Sequence, residues 1–95
     1  MESKATKVYE KMMEKDYCSQ WLQTEALLIR EGECHLQMKV RKEMLNGFGT
    51  LHGGIAYSLA DSALAFAVNS YGRISPLIQG SMSYAKAAVE NDLLT

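Results

Sequence analysis

The stretch LNGFGTLHGGIAYSLADSALAFA, residues 45–67, determines most of what this sequence predicts. Four glycines open it, and an alanine-rich apolar segment follows that carries one carboxylate, Asp61, near its middle. Glycines permit backbone conformations and close approaches that other residues do not. A carboxylate among alanines is costly to bury unless it has a partner. We therefore expect the glycine loop and the acid to serve a common purpose.

The apolar residues of this segment recur at helical intervals. We predict a helix from about Gly53 to Tyr71, with Gly72 just past its last turn. Apolar side chains fall nearly all round it, which predicts an enclosed helix rather than a surface one. The main stripe comprises Ile55, Leu59, Ala63 and Phe66.

The flanking sequence predicts an α+β domain. Residues 4–15 read as a short amphipathic helix. The Glu31-Gly32 turn signal separates two runs, 21–30 and 33–41, and the second alternates apolar and polar residues, so we predict a β-hairpin. The stretch PLIQGSMSYAKAA, residues 76–88, predicts another strand, and the final NDLLT predicts the start of one more.

Composition limits the class of protein. Ninety-five residues with a net charge of −1 predict one small domain, residues 1–95, without the basic excess of a nucleic-acid-binding protein. Cys18 and Cys34 lie in no CxxC pair and read as free thiols. His35 and His52 lack zinc spacing. Without a signal peptide or a run of ~20 apolar residues, the expectation is a soluble cytoplasmic protein.

Several motifs fail on the glycine loop. A phosphate-binding P-loop needs Lys and Ser/Thr where His52-Gly53-Gly54-Ile55 stands, and the dinucleotide-binding pattern needs a glycine at 52. No GxSxG is present. A triad of Ser58, His52 and Asp61 can be written down, but nothing in the spacing favours it.

An oxyanion site fits the loop better. Gly53 and Gly54 would place backbone N–H groups at a helix N-terminus, where a developing negative charge is stabilised. Asp61 would then be the base or nucleophile. Eight helical residues separate Gly53 from Asp61, about 12 Å, so both cannot contact one carbonyl in the same chain. We therefore expect the acid to come from a second copy on a roughly antiparallel helix.

The pattern N-x-x-G-T-x-H-G-G, six residues and then Asp, occupies residues 46–61. It resembles the signature of hotdog-fold acyl-CoA thioesterases of the phenylacetic acid degradation (PaaI) type. The resemblance implies an α+β hotdog fold, in which a curved antiparallel sheet wraps a long central helix, assembled as homodimers or homotetramers with shared sites. It also implies hydrolysis of aryl-acetyl or medium-chain acyl-CoA, with coenzyme A as part of the substrate and no metal or redox cofactor.

The resemblance also assigns roles to residues. Asp61 matches the catalytic acid and Gly53 the N–H that polarises the thioester carbonyl. His52 and Asn46 match residues that line and orient the site, and Gly54 is expected to bind substrate beside Gly53. Tyr57, Leu59 and Phe66 are candidates for the acyl pocket.

The sequence departs from the family pattern in three places. Where relatives carry Ser or Thr on the strand after the helix, Leu77 stands here with Ser75 nearby, so Ser75 is a weaker substrate-binding candidate. Lys86 stands where relatives carry an arginine, and it is a substrate-binding candidate beside the CoA phosphates. The family continues for about three more strands beyond Thr95, which implies a C-terminally truncated domain.

Three other functions remain open at this stage. A non-catalytic acyl-CoA binding module would have the same fold but no need for Asp61. A hydratase would carry D-x-N-x-x-H, which is absent here. An inactive truncated copy would keep the motif without the strands.

Overall fold

The computed structural model describes residues 3–72 and 88–95. Within them, a long helix packs against a small antiparallel sheet, with two shorter helices at its side. The elements are α1 (Lys4–Met13), α2 (Tyr17–Leu22), β1 (Glu25–Arg30), β2 (Glu33–Lys39), a 3-10 turn (Lys42–Met44), α3 (Gly53–Asn69) and β3 (Leu93–Leu94).

The predicted hairpin is confirmed. Strands β1 and β2 pair antiparallel from Glu25–Gln37 to Arg30–Glu33, and the turn contains Gly32 at a φ of 75°, which glycine adopts without strain. On β2, Leu36 and Met38 are buried while His35 and Lys39 are exposed, as the alternation predicted, and Val40 just after the strand is buried as well.

The predicted C-terminal strand is confirmed as well. Strand β3 pairs antiparallel with β2, and Leu94 lies opposite Met38. Within the described residues the sheet order is therefore β1-β2-β3. The strand predicted after Pro76 lies outside the described residues.

The core forms where α3 crosses β2. Leu59 and Phe66 from the helix meet Leu36 and Met38 from the strand, all 5% exposed or less. The ring of Phe66 meets that of Tyr9 on α1 edge-on, with centroids 4.9 Å apart. Leu59 and Phe66 therefore belong to the core, and their predicted place in an acyl pocket is wrong for this arrangement.

The first run of the hairpin was predicted too long, because residues 17–22 form α2 rather than strand. Asp16 caps this helix by accepting a hydrogen bond from the Ser19 N–H, and Gln23 ends it at a φ of 56°. Arg41 holds it against the sheet. Its guanidinium stacks 4.7 Å from the Trp21 ring centroid and donates to the Trp21 carbonyl at 2.8 Å.

A buried polar contact joins α2 to α3. The Ser19 hydroxyl donates to the Asp16 carboxylate at 2.7 Å, and the Ser62 hydroxyl lies 2.7 Å from that of Ser19. Because a hydroxyl has only one proton, Ser62 must donate to Ser19. The two serines are 0% and 8% exposed, so the buried Ser62 hydroxyl depends on Ser19 as its acceptor, whereas Ser19 also has the Asp16 carboxylate as a partner.

Enclosure of α3 was predicted, and it is wrong for the single chain. Ala60 is exposed, and Leu64 and Val68 are 44% and 38% exposed. Asp61 and Tyr57, half-buried, lie on the same side. These five residues, 57, 60, 61, 64 and 68, fall within an arc of about 100° and are called the open face of α3 below.

The two cysteines are free, as predicted. Cys18 is exposed, whereas burial raises the pKa of the Cys34 thiol on β2. Over residues 3–72 and 88–95, no helix is long and apolar enough to cross a membrane, and no three acidic, histidine or cysteine side chains cluster as metal ligands would.

The serine contact predicts a measurable coupling. Ser19→Ala leaves the Ser62 hydroxyl without its acceptor, so we expect a loss of about 1–3 kcal/mol in the free energy of unfolding, measured by urea denaturation. Ser62→Ala should cost less in the Ser19→Ala background than alone, by about 0.5 kcal/mol or more. Ser58→Ala, on the same helix, is the control and should change stability by less than about 0.5 kcal/mol. Strict additivity of the two buried substitutions would contradict a shared hydrogen bond.

Candidate active site

The site begins with a tight loop, residues 46–52, that leads into α3. Asn46 organises it, because its side-chain oxygen accepts from the Phe48 N–H at 2.9 Å, the Thr50 N–H at 3.3 Å and the Thr50 hydroxyl at 3.2 Å. Gly49 has a φ of 79°, which glycine permits, and donates its N–H to the Asn46 carbonyl. The contacts of Asn46 are thus those of a residue that shapes the loop.

The base of the loop is fixed to the rest of the chain. Leu45 and Leu51 form an isolated antiparallel bridge, and the His52 N–H donates to the Met44 carbonyl at 2.9 Å. The Leu51 N–H donates to the Ala88 carbonyl at 2.7 Å. These bonds hold the start of α3 in one position relative to the sheet.

His52 is the N-cap of α3. Its backbone is extended, and its Nδ1 accepts from the Gly54 N–H at 3.3 Å. Since Nδ1 is an acceptor here, the neutral ring carries its proton on Nε2. The exposed imidazole can therefore offer an N–H donor to a ligand next to the helix N-terminus.

Gly53 and Gly54 form the first turn of α3, as predicted. The N–H groups of a first turn point out of the helix end, where the helix dipole adds positive potential. A Cβ added at Gly54 would only touch the His52 ring, at 3.6 Å from Nδ1. Packing among residues 3–72 and 88–95 does not require glycine at 54, which leaves room for another molecule to approach the backbone there.

Asp61 lies on the open face of α3, two turns beyond Gly53. It is half-buried rather than enclosed, and its carboxylate makes no hydrogen bond to any of residues 3–72 or 88–95. Helix α3 is continuous between the two residues, which keeps Gly53 and Asp61 about 12 Å apart within one chain.

The Ser58, His52 and Asp61 triad is not assembled. The Ser58 hydroxyl donates to the Gly54 carbonyl at 2.8 Å, and His52 Nδ1 is occupied by the Gly54 N–H. Ser75 and Lys86 lie outside the described residues. The sequence analysis did not single out Arg41, because its stacking on the Trp21 ring depends on α2, which was not predicted.

Comparison with known proteins identifies the family of this arrangement. Residues 48–95 match the profile of the Thioesterase superfamily. The chain is 34% identical over its whole length to the acyl-coenzyme A thioesterase PaaI of Escherichia coli, of which it covers 68%. Over 93% of its length, the chain is 40% identical to a protein of Archaeoglobus fulgidus that is named as a candidate esterase. The chain spans 57% of that protein.

Solved structures agree with the sequence relatives. The structure of E. coli PaaI, from the phenylacetic acid degradation operon, superposes with a TM-score of 0.91 at 32% identity, over 95% of this chain and 65% of that one. A Streptococcus pneumoniae protein, a hypothetical thioesterase solved with coenzyme A, superposes with a TM-score of 0.79 at 27% identity, over 86% of this chain and 66% of that one. The predicted α+β hotdog fold is thereby confirmed, and the chain belongs to the thioesterase superfamily.

Proposed function

We propose that this protein hydrolyses acyl-CoA thioesters at a site shared between two copies of the chain. The observation that carries the proposal lies on one helix: it begins at Gly53, and it carries Asp61, a carboxylate without a hydrogen-bond partner in the described part of the chain. The likeness to an acyl-CoA thioesterase and to a thioesterase solved with coenzyme A supports the substrate class.

A second copy supplies what one chain cannot. The open face of α3 exposes Leu64 and Val68 around Asp61, and an apolar face of this kind gains free energy when it is covered. An antiparallel α3 from a second copy would cover it and bring its own Gly53 toward Asp61. A two-fold dimer formed in this way has two equivalent sites. Homotetramers would be pairs of such dimers.

The reaction follows from the two groups. The thioester carbonyl oxygen would accept from the Gly53 N–H, which stabilises negative charge as the carbonyl carbon is attacked. The Asp61 carboxylate would either remove a proton from the attacking water or attack the carbon itself before water does. In both routes the carbon–sulfur bond breaks, coenzyme A leaves as the thiol or thiolate, and the acyl group becomes a free acid.

The other predicted residues have supporting roles in this proposal. The Nε2–H of His52 would donate to the substrate, and Gly54 would let it approach the backbone. Asn46 would keep the loop in shape rather than touch the reacting atoms, in line with its three accepted hydrogen bonds. Ser75 and Lys86 are further substrate-binding candidates on the sequence alone.

The substrates we propose are aryl-acetyl or medium-chain acyl-CoA molecules. The E. coli relative comes from the phenylacetic acid degradation operon, which supports the aryl-acetyl class, and a part in that degradation is the biological setting we propose. The proposed location is the cytoplasm, where acyl-CoA is available. The chemistry described needs no metal or redox cofactor.

The carboxylate can be tested directly. Asp61→Asn keeps the size of the side chain but removes the base, so we expect kcat to fall at least about 10²-fold for phenylacetyl-CoA or hexanoyl-CoA, measured by thiol release. Glu43→Gln, at an exposed position, is the matched control and should keep its activity. A folded Asp61→Asn protein with full turnover would rule out this role for Asp61.

The loop can be tested through Asn46. Asn46→Ala removes the acceptor of three hydrogen bonds, so we expect a loss of about 1–3 kcal/mol in unfolding free energy and a lower kcat/KM. Asn46→Asp keeps an acceptor oxygen at the same place and should recover most of the stability. If Asn46→Asp is as unstable as Asn46→Ala in urea denaturation, the loop-shaping role is wrong.

A further inference from the structure

A basic cleft lies between α1 and the C-terminal end of α3, away from the candidate active site. Its volume is about 450 Å³, within the range of small-molecule sites. It is lined by Lys4, Lys7, Val8, Lys11, Met12, Asn69 and Gly72, which we call the lysine cleft.

The cleft has a charged side and an apolar side because of the helical repeat of α1. The three lysines follow at intervals of three and four residues and fall within an arc of about 60°. Val8 and Met12 lie on the adjoining strip of the helix, between the lysines and the core face that includes Tyr9. A ligand in the cleft would meet ammonium groups on one side and hydrocarbon on the other.

Other parts of the protein offset some of the positive charge of the three lysines. Lys4 lies against the C-terminal end of α3, since a Cβ added at Gly72 would be only 2.7 Å from the lysine Cε. A cation at this end of a helix interacts favourably with the helix dipole. Lys11 is 3.9 Å from Glu14, an exposed pair of little strength. The Lys7 ammonium has no ion-pair partner among the described residues. Positive charge therefore remains for a ligand.

We propose that the lysine cleft binds a carboxylate with an apolar tail, namely the free acid that thioester hydrolysis releases. This ligand class rests on the proposed function. A single carboxylate suits one or two ammonium groups, and its tail suits Val8 and Met12. A polyphosphate such as the nucleotide end of coenzyme A would leave those two apolar side chains facing charge. The cleft thus favours the acid over the thiol product.

The position of the cleft makes it a second site rather than part of the first. Along α3, Asn69 is sixteen residues from Gly53, about 24 Å, and eight residues from Asp61, about 12 Å. An acid bound between α1 and α3 would bridge the two helices and stabilise the folded protein by RT ln(1 + L/Kd), where L is the concentration of the free acid.

The test is a titration with decanoate of the purified Asp61→Asn protein, which carries ¹³C-methyl methionine. We expect a saturable shift of the Met12 methyl signal, while Met38, buried in the core, serves as the internal reference. Lys7→Gln/Lys11→Gln should weaken binding about tenfold or more, and Lys15→Gln, the matched exposed control, should leave it within about twofold. Decanol, without the charge, and acetate, without the tail, should each bind at least about tenfold more weakly.

Three results would each overturn the proposal that the lysine cleft binds the acid. They are the absence of a saturable Met12 shift, an unchanged affinity for decanoate in the folded Lys7→Gln/Lys11→Gln protein, and equal affinities for decanol and decanoate. Circular dichroism melting confirms that each variant is folded. Thiol release by the unsubstituted protein is measured separately. If the proposed thioesterase function is wrong, the thiol-release assay will show no turnover. If only the proposal for the cleft is wrong, the assay will show turnover and the titration will fail.

Discussion

The unbroken helix from Gly53 to Asn69 is the constraint on which the account of function depends. A helix advances 1.5 Å per residue, so it separates its N-terminal N–H groups from Asp61 by about 12 Å, whatever the surrounding sheet does. A thioester carbonyl is too small to reach both groups in one chain. The rigid helix thus prevents the two groups from meeting within one chain. Two antiparallel copies of the helix could bring the acid of each chain close to the helix N-terminus of the other.

The remaining elements hold that helix in place. Phe66 and Leu59 anchor its inner side on β2, and the buried hydroxyl of Ser62 joins it to α2 through Ser19. The loop shaped by Asn46 fixes its first turn. Because these contacts all lie on the inner side and at the start of the helix, they do not cover the open face with Asp61, which the proposed dimer would cover.

Local patterns in the sequence were enough to predict α1, α3, the hairpin and β3. Helix α2 was missed because Trp21 and Leu22 were assigned to the first run of the hairpin. The end of the helix is set by the left-handed backbone of Gln23 and its start by the Asp16 cap, and neither is visible in the hydrophobic pattern. The enclosure of α3 was wrong for a single chain, since periodicity shows which residues are apolar but not which chain covers them. The predicted start of the long helix at Gly53 is confirmed, with His52 as its N-cap. The hydrogen bonds that Asn46 accepts within its own loop depend on the folded loop and could not be predicted from the motif.

Complementation of two inactive variants tests the shared site most directly. Gly53→Pro removes the N–H at the first helical position, which tolerates proline, and the extended backbone of His52 is compatible with it. Asp61→Asn removes the acid. If the two variants are refolded together from urea, each mixed dimer should contain one intact site, so activity should return to about one quarter of that of the unsubstituted protein. Activity no greater than the sum of the two separate variants would contradict a site shared between chains.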